Sequence, residues 1–161
     1  MKIGIIGTGR MGGGLGKRWA NARHEVMFGS RDPEKARRFA AEVGGSASGG
    51  SQQDAVDFAD VILLATPWNQ TEAILRGLNG LSGKIIIETT NNFSHDDPRS
   101  TTERIMAWAP GAKVVKAFNG IFSQIIAADP AAAKSRPDVF IVGDDADAKQ
   151  VAAQWIAEAG F

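Results

Sequence analysis

The sequence predicts a single doubly wound α/β domain built on a parallel sheet, and three observations carry that expectation. Apolar, β-branched runs alternate with helical patterns from the first residues to the last. The runs Val61–Ala65 and Ile85–Glu88 are almost continuously apolar, as in strands covered on both faces rather than one. A glycine cluster, Gly7–Gly14, stands directly between the first run and the first helical pattern.

The elements follow in order. Ile3–Ile6 reads as the first strand, and Met11, Leu15, Trp19 and Ala22 recur at helical spacing after it. His24–Phe28 reads as the second strand, ended by Gly29-Ser30. In Asp32-Pro33-Glu34 the aspartate suits a helix N-cap, the proline the first helical position and the glutamate the positive helix end. That helix extends to about Val43, where Gly44-Gly45 stop it. Residues 46–50 are at best a weak third strand, since Gly and Ser disfavour extended pairing. A short helix over Gln52–Phe58 precedes Val61–Ala65. Pro67 ends that strand, and a helix through Ala73–Arg76 follows. After Ile85–Glu88 come a polar loop, Thr89–Pro98, and a helix from about Ser100 to Trp108. Lys113–Phe118 and Val139–Val142 are the remaining strands, with short Ser123–Ala128 between them and Ala146–Ala159 closing as a helix. The stretch 129–137 is the flexible segment expected from its composition, and no linker marks a second domain. Gly160-Phe161 reads as a helix stop and the start of another strand, expected of either a shortened chain or a sheet edge completed by a partner.

Composition narrows the function. With 161 residues the chain fits one domain, long enough to bury roughly two-thirds of its unfolded surface. Lys+Arg 18 balance Asp+Glu 18, leaving no global field to draw in nucleic acid or an anionic membrane. Cys 0 excludes disulfides, thiolate metal sites and a cysteine nucleophile within this sequence. No apolar run approaches the roughly 18 residues of a membrane span, and with the first strand starting at Lys2 no signal peptide is expected. The expectation is a cytoplasmic protein.

Gly7-Thr8-Gly9-Arg10-Met11-Gly12 is G-x-G-x-x-G, placed after a strand and opening a helix. In that context Gly7 permits the tight turn, Gly9 lets a pyrophosphate approach the backbone, and Gly12 lets helix and strand pack closely. The helix start then offers free N–H groups and a positive dipole end to phosphates. The end of the second strand selects the cofactor. NAD sites place Asp or Glu there for the ribose hydroxyls, whereas this chain has Gly29-Ser30-Arg31. Ser30 can donate to a 2′-phosphate, Arg31 supplies a charged planar fork, and Lys35 one turn on adds a second charge. Asp32 is the competing ribose ligand, although its place before Pro33 suits a cap better. NADP is favoured over NAD.

The later strand ends should line the nicotinamide half, because ligands lie outside the carboxyl ends of an open α/β sheet. These are Ala65-Thr66-Pro67-Trp68, Thr89-Thr90-Asn91-Asn92 and Ala117-Phe118-Asn119-Gly120. Pro67 can shape a loop under the cofactor, and Asn91 and Asn119 offer neutral amides. Trp68 is expected to pack rather than to cover the site. Proton donors are scarce, with Tyr 0 and His 2. His24 is expected on the surface or in packing. His95 sits on a polar loop and is a general-acid candidate, and Asp96 and Asp97 suit a turn better than a metal ion. No catalytic residue is assigned. Hydride exchange between a nicotinamide and a flavin-like ring needs mainly stacking and alignment, which suits such a chain.

Together with the opening motif, Gly29-Ser30-Arg31-Asp32-Pro33-Glu34-Lys35-Ala36, Ala65-Thr66-Pro67-Trp68 and Val115-Lys116-Ala117-Phe118-Asn119 resemble the F420-dependent NADP oxidoreductase family. Its relatives include the NADPH-binding domain of the STEAP metalloreductases. The resemblance implies a dinucleotide-binding fold that passes hydride between NADP(H) and the deazaflavin F420, commonly as a homodimer. It implies that Thr8, Gly9, Arg10 and Met11 cradle the pyrophosphate and that Ser30, Arg31 and Lys35 hold the 2′-phosphate. Ala65 and Pro67 then flank the nicotinamide, with Ala117 and Asn119 nearby. The pattern departs at Gly120, where the family usually has threonine, and in lacking the family's C-terminal segment. Two other readings stay open: an NADPH-dependent imine or hydroxyacid reductase, and a non-catalytic NADP-binding module.

Overall fold

The structure is a computed structural model and describes residues 1–94, 97–128 and 137–161. Six parallel strands form its sheet: β1 (Lys2–Ile6), β2 (Glu25–Ser30), β3 (Ala47–Ser51), β4 (Val61–Leu64), β5 (Ile85–Glu88) and β6 (Lys113–Lys116). Their order is β3-β2-β1-β4-β5-β6, so the winding reverses between β1 and β4. Seven helices accompany them among the described residues: α1 (Arg10–Asn21), α2 (Pro33–Val43), α3 (Gln52–Phe58), α4 (Trp68–Arg76), α5 (Thr101–Trp108), α6 (Ser123–Ala127) and α7 (Ala146–Glu158).

The near-continuous apolar strands are explained by two cores. Alternate residues go to opposite faces of a strand. Ile5, Leu63, Ile87 and Val115 pack in one core with Leu15 and Trp19 of α1 and Trp155 of α7. Ile6, Ile62, Leu64, Ile86 and Val114 pack in the other with Val56, Leu75 and Ile105 of α3, α4 and α5. Trp19 joins α1 to α7, its indole N–H donating to the Trp155 carbonyl at 2.8 Å.

Two strand expectations are corrected. The segment 46–50, expected to pair weakly at best, forms β3 from Ala47 on, with Ser51 added, in register with β2 from Val26–Ala47 to Ser30–Ser51. Packing overrides propensity there: a side chain at Gly49 would lie 2.3 Å from the Ala36 carbonyl group, so its absence lets α2 fold back onto the strand. Val139–Val142 does not form the expected strand. It makes one antiparallel bridge, Val142 with Lys116, by N–H···O bonds of 2.8 and 3.0 Å. Extending that ladder would require partners beyond Lys116, where the extended run has ended and Phe118 takes a left-handed backbone with φ 61°. For the same reason β6 stops short of Ala117 and Phe118. β2, in contrast, runs on through Gly29 and Ser30. Most of the stretch expected to be flexible, 129–136, lies outside the described residues.

Candidate functional site

The expected strand-end residues lie along one edge of the sheet, joined by backbone hydrogen bonds. Gly7 N–H donates to the Gly29 carbonyl at 3.0 Å, tying the glycine turn to the end of β2. On the other side of the switch point, Ala65 N–H donates to the Ile6 carbonyl at 3.0 Å. Thr89 N–H continues the row to the Leu64 carbonyl at 3.1 Å, and Ala117 N–H to the Glu88 carbonyl at 3.0 Å. This edge is where an open α/β sheet takes its ligands.

The glycine turn has the geometry its motif requires. Gly7 has φ 112°, and a side chain on it would lie 2.4 Å from the Ala65 carbonyl oxygen. A side chain on Gly12 would lie 2.1 Å from the Gly7 carbonyl oxygen, so α1 starts closer to β1 than any other residue permits. Gly9 is the N-cap, open to solvent, and no side chain caps the helix or places an acid in its first turn. The first-turn N–H groups of Arg10, Met11 and Gly12 are therefore left for an anion, with Thr8 beside them. These residues fit a pyrophosphate.

At the end of β2, Asp32 caps α2: its carboxylate accepts from the Lys35 N–H at 3.1 Å. The Asp32 N–H in turn donates to the Ser30 hydroxyl oxygen at 3.2 Å, leaving the hydroxyl proton for another acceptor. Arg31 and the Lys35 side chain are exposed, and neither has an ion-pair partner among the described residues. Arg31 also borders a small cavity of about 380 Å³ with Gln52, Asn69 and Gln70.

At the end of β4, the Ala65-Thr66-Pro67 turn is pinned by Thr71, whose hydroxyl lies 3.0 Å from that of Thr66 and 3.1 Å from the Pro67 carbonyl. Trp68 packs as expected, its ring 5.2 Å from Trp108 with the Arg104 guanidinium 4.9 Å above it. Asn91 and Asn119 are brought together, the Asn91 amide donating to the Asn119 carbonyl at 3.3 Å. His95 and Asp96 lie outside the described residues. Asp97 is held by Arg99, whose hydrogen bonds keep its carboxyl well below the usual carboxylate range. His24 is buried beside Trp155 and lies 3.3 Å from the Glu158 carboxylate, a packing role remote from the strand ends.

Sequence reasoning missed two residues that shape this edge. Glu88 is fully buried and lies 2.8 Å from the Lys116 ammonium, the two being opposite each other in the β5–β6 register. The available signal was an acid and a lysine, each ending a strand at matched positions. Phe118, expected among the lining strand ends, is instead buried, with a left-handed backbone. Arg18 acts elsewhere: its guanidinium donates to the carbonyls of Ile125, Ile126, Ala128 and Ala159, clamping α1 to the ends of α6 and α7. A cavity of about 910 Å³ along α1 meets the site only at Thr8, Gly9 and Arg10 and otherwise runs away from the strand ends.

A doubly wound domain with this turn at its switch point is a dinucleotide-binding domain, and comparison with known proteins places it further. Residues 2–92 match the family described as NADP oxidoreductase, coenzyme F420-dependent. The chain is 31% identical to the F420-dependent NADP reductase of Methanothermobacter thermautotrophicus, over 96% of its own length and 75% of that protein's. It is 28% identical to the metalloreductase STEAP3 of Rattus norvegicus, covering 99% of this chain but only 32% of that protein. A crystal structure of a hypothetical protein from Sinorhizobium meliloti superposes with a TM-score of 0.84 at 31% identity, covering 100% of this chain and 82% of the other. The chain belongs to the F420-dependent family of NADP oxidoreductases. Among the described residues no helix is long and apolar enough to cross a membrane.

Proposed function

We propose that this chain binds NADP(H) along the strand ends and exchanges hydride with F420 or a flavin-like acceptor. The observation that carries the cofactor choice is the use of Asp32 as a helix cap beside Arg31 and Lys35, which have no ion-pair partner among the described residues. An NAD site needs a carboxylate for the ribose hydroxyls, whereas a 2′-phosphate needs cations and a hydroxyl donor. Bound NADPH supplies the hydride. The chain's own residues do the rest: Gly7, Thr8, Gly9, Arg10, Met11 and Gly12 receive the pyrophosphate, and Ser30, Arg31 and Lys35 the 2′-phosphate. Ala65, Thr66, Pro67, Asn91 and Asn119 bound the space left for the nicotinamide, whereas Ala117, expected to line it, is fully buried behind them because it continues the β6 end into the core.

The acceptor reading rests on family membership and on the scarcity of proton donors, with Tyr 0 in the sequence. Transfer to a deazaflavin or flavin asks the protein chiefly for alignment. We further expect a cytoplasmic homodimer, to be checked by sedimentation. The decisive measurement mixes the protein with NADPH and oxidised F420 or FMN and follows acceptor absorbance. Loss of the oxidised acceptor band supports the proposal. NADPH oxidation only with a cyclic imine assigns an imine reductase, and tight binding without turnover on any acceptor assigns a binding module.

A further inference from the structure

We propose that the pair formed by the buried Glu88 carboxylate and the partly buried Lys116 ammonium is a positioning device for the nicotinamide end of the site, fixing the Thr90–Asn91 turn against the Ala117–Asn119 turn. It rests on the reading that the dinucleotide lies along these strand ends.

Every polar atom of Thr90 is held by the pair. One Glu88 carboxylate oxygen accepts from the Thr90 N–H at 2.8 Å and from its hydroxyl at 2.5 Å. The Thr90 carbonyl accepts from the Lys116 ammonium at 2.7 Å. The other Glu88 oxygen accepts from Lys116 at 2.8 Å and from the Thr101 and Thr102 hydroxyls at 2.9 and 3.2 Å, anchoring the start of α5. Lys116 uses its third proton on the Thr101 hydroxyl oxygen at 2.9 Å. The ammonium has no donor left over.

A buried ion pair is weak evidence for stability, because desolvation offsets much of the Coulombic gain and an apolar pair of similar volume often serves as well. What this pair adds is direction. It ends two neighbouring strands at the same register position, immediately before the residues that face the site. Asn91 follows Thr90, and its amide reaches the Asn119 carbonyl. Ala117 follows Lys116 and leads into the left-handed Phe118, a backbone conformation that persists only where its surroundings impose it. With the β5 and β6 ends, the Thr90 turn and the start of α5 tied to one carboxylate, and the Asn91 amide bonded across to Asn119, the two asparagines are presented as a unit. That unit touches the nicotinamide half of the groove, not the phosphate half at Gly9 and Arg31. Loss of the pair should therefore change alignment more than affinity.

The test compares wild type with Glu88→Gln, which keeps the volume but turns a donor or a weaker acceptor toward the Thr90 amide. Thr90→Val, which removes only the hydroxyl, is the second variant and carries the same readouts if Glu88→Gln does not fold. The readouts are the Kd for NADPH, the fluorescence anisotropy of the nicotinamide at saturation, and kcat and KM with oxidised F420. Expected are a Kd and KM for NADPH within about threefold of wild type, a lower anisotropy and a kcat reduced about tenfold or more. Unchanged anisotropy and kcat would overturn the proposal, and so would an affinity that falls in step with kcat. Wild type that binds NADPH but does not reduce F420 removes the acceptor reading alone, since anisotropy still decides on positioning. Wild type that does not bind NADPH overturns both.

Discussion

Arg31 and Asp32 are adjacent, oppositely charged and given different work by the backbone. The aspartate faces back into α2 and caps it, while the arginine remains exposed with no ion-pair partner among the described residues. If Arg31 grips a 2′-phosphate through a charge-assisted fork, Arg31→Ala weakens NADPH binding by about 1.5–3 kcal/mol, roughly 10- to 150-fold in Kd. Affinity for NADH, which lacks that phosphate, should change little. Titration of both cofactors against both proteins checks this, and equal losses would remove the 2′-phosphate assignment. Both halves of this were readable in the sequence, Arg31 from Gly29-Ser30-Arg31 and the cap from Asp32 before Pro33, and the structure bears out the cap with the Lys35 N–H bond.

At the scale of elements, the start of α2 shapes the β2 end of the proposed site. Asp32 at the N-cap and Pro33 at the first helical position begin it, and the capped N–H belongs to Lys35, itself a proposed phosphate contact. Asp32→Ala should lower stability by about 0.5–2 kcal/mol, as removal of an N-cap does. The preference for NADPH over NADH should survive. Denaturant unfolding and the same two titrations separate these effects; a selective loss of NADH binding would instead make Asp32 a ribose ligand. The start of α5 is fixed by a similar device, a capping box in which Ser100 and Glu103 bond reciprocally. On the far side of the sheet, β3 shows how little propensity decides once a helix packs across it.

For the whole molecule, the carboxylates with depressed titration set the response to acid. Asp54 and Glu103 are held down by backbone N–H bonds in their capping boxes, Asp97 by the hydrogen bonds of Arg99, and Asp145 by the Ala148 N–H and Lys113. Each binds a proton less readily when folded than when unfolded. The unfolded chain therefore takes up protons first, and stability present above the ordinary carboxylate range, about pH 4, falls as pH drops through the folded values. Urea midpoints should decline between about pH 5 and pH 2.5. These groups are near the surface, so the decline should be shallower at high salt. Midpoints that rise on acidification would contradict the linkage.

The sequence alone determined the alternation of strands and helices, the place of the glycine turn and the cationic end of β2. Each depends on residues within one turn or one strand: Gly7 and Gly12, the apolar runs, the cap at Asp32. Only the tertiary structure decided that Val139–Val142 would stop at one bridge, that Gly49 would admit α2, and that Glu88 would meet Lys116 beneath Thr90. Those outcomes depend on groups far apart in sequence approaching within contact distance. Local periodicity marks which residues are buried, and the packing of the sheet selects which of them meet.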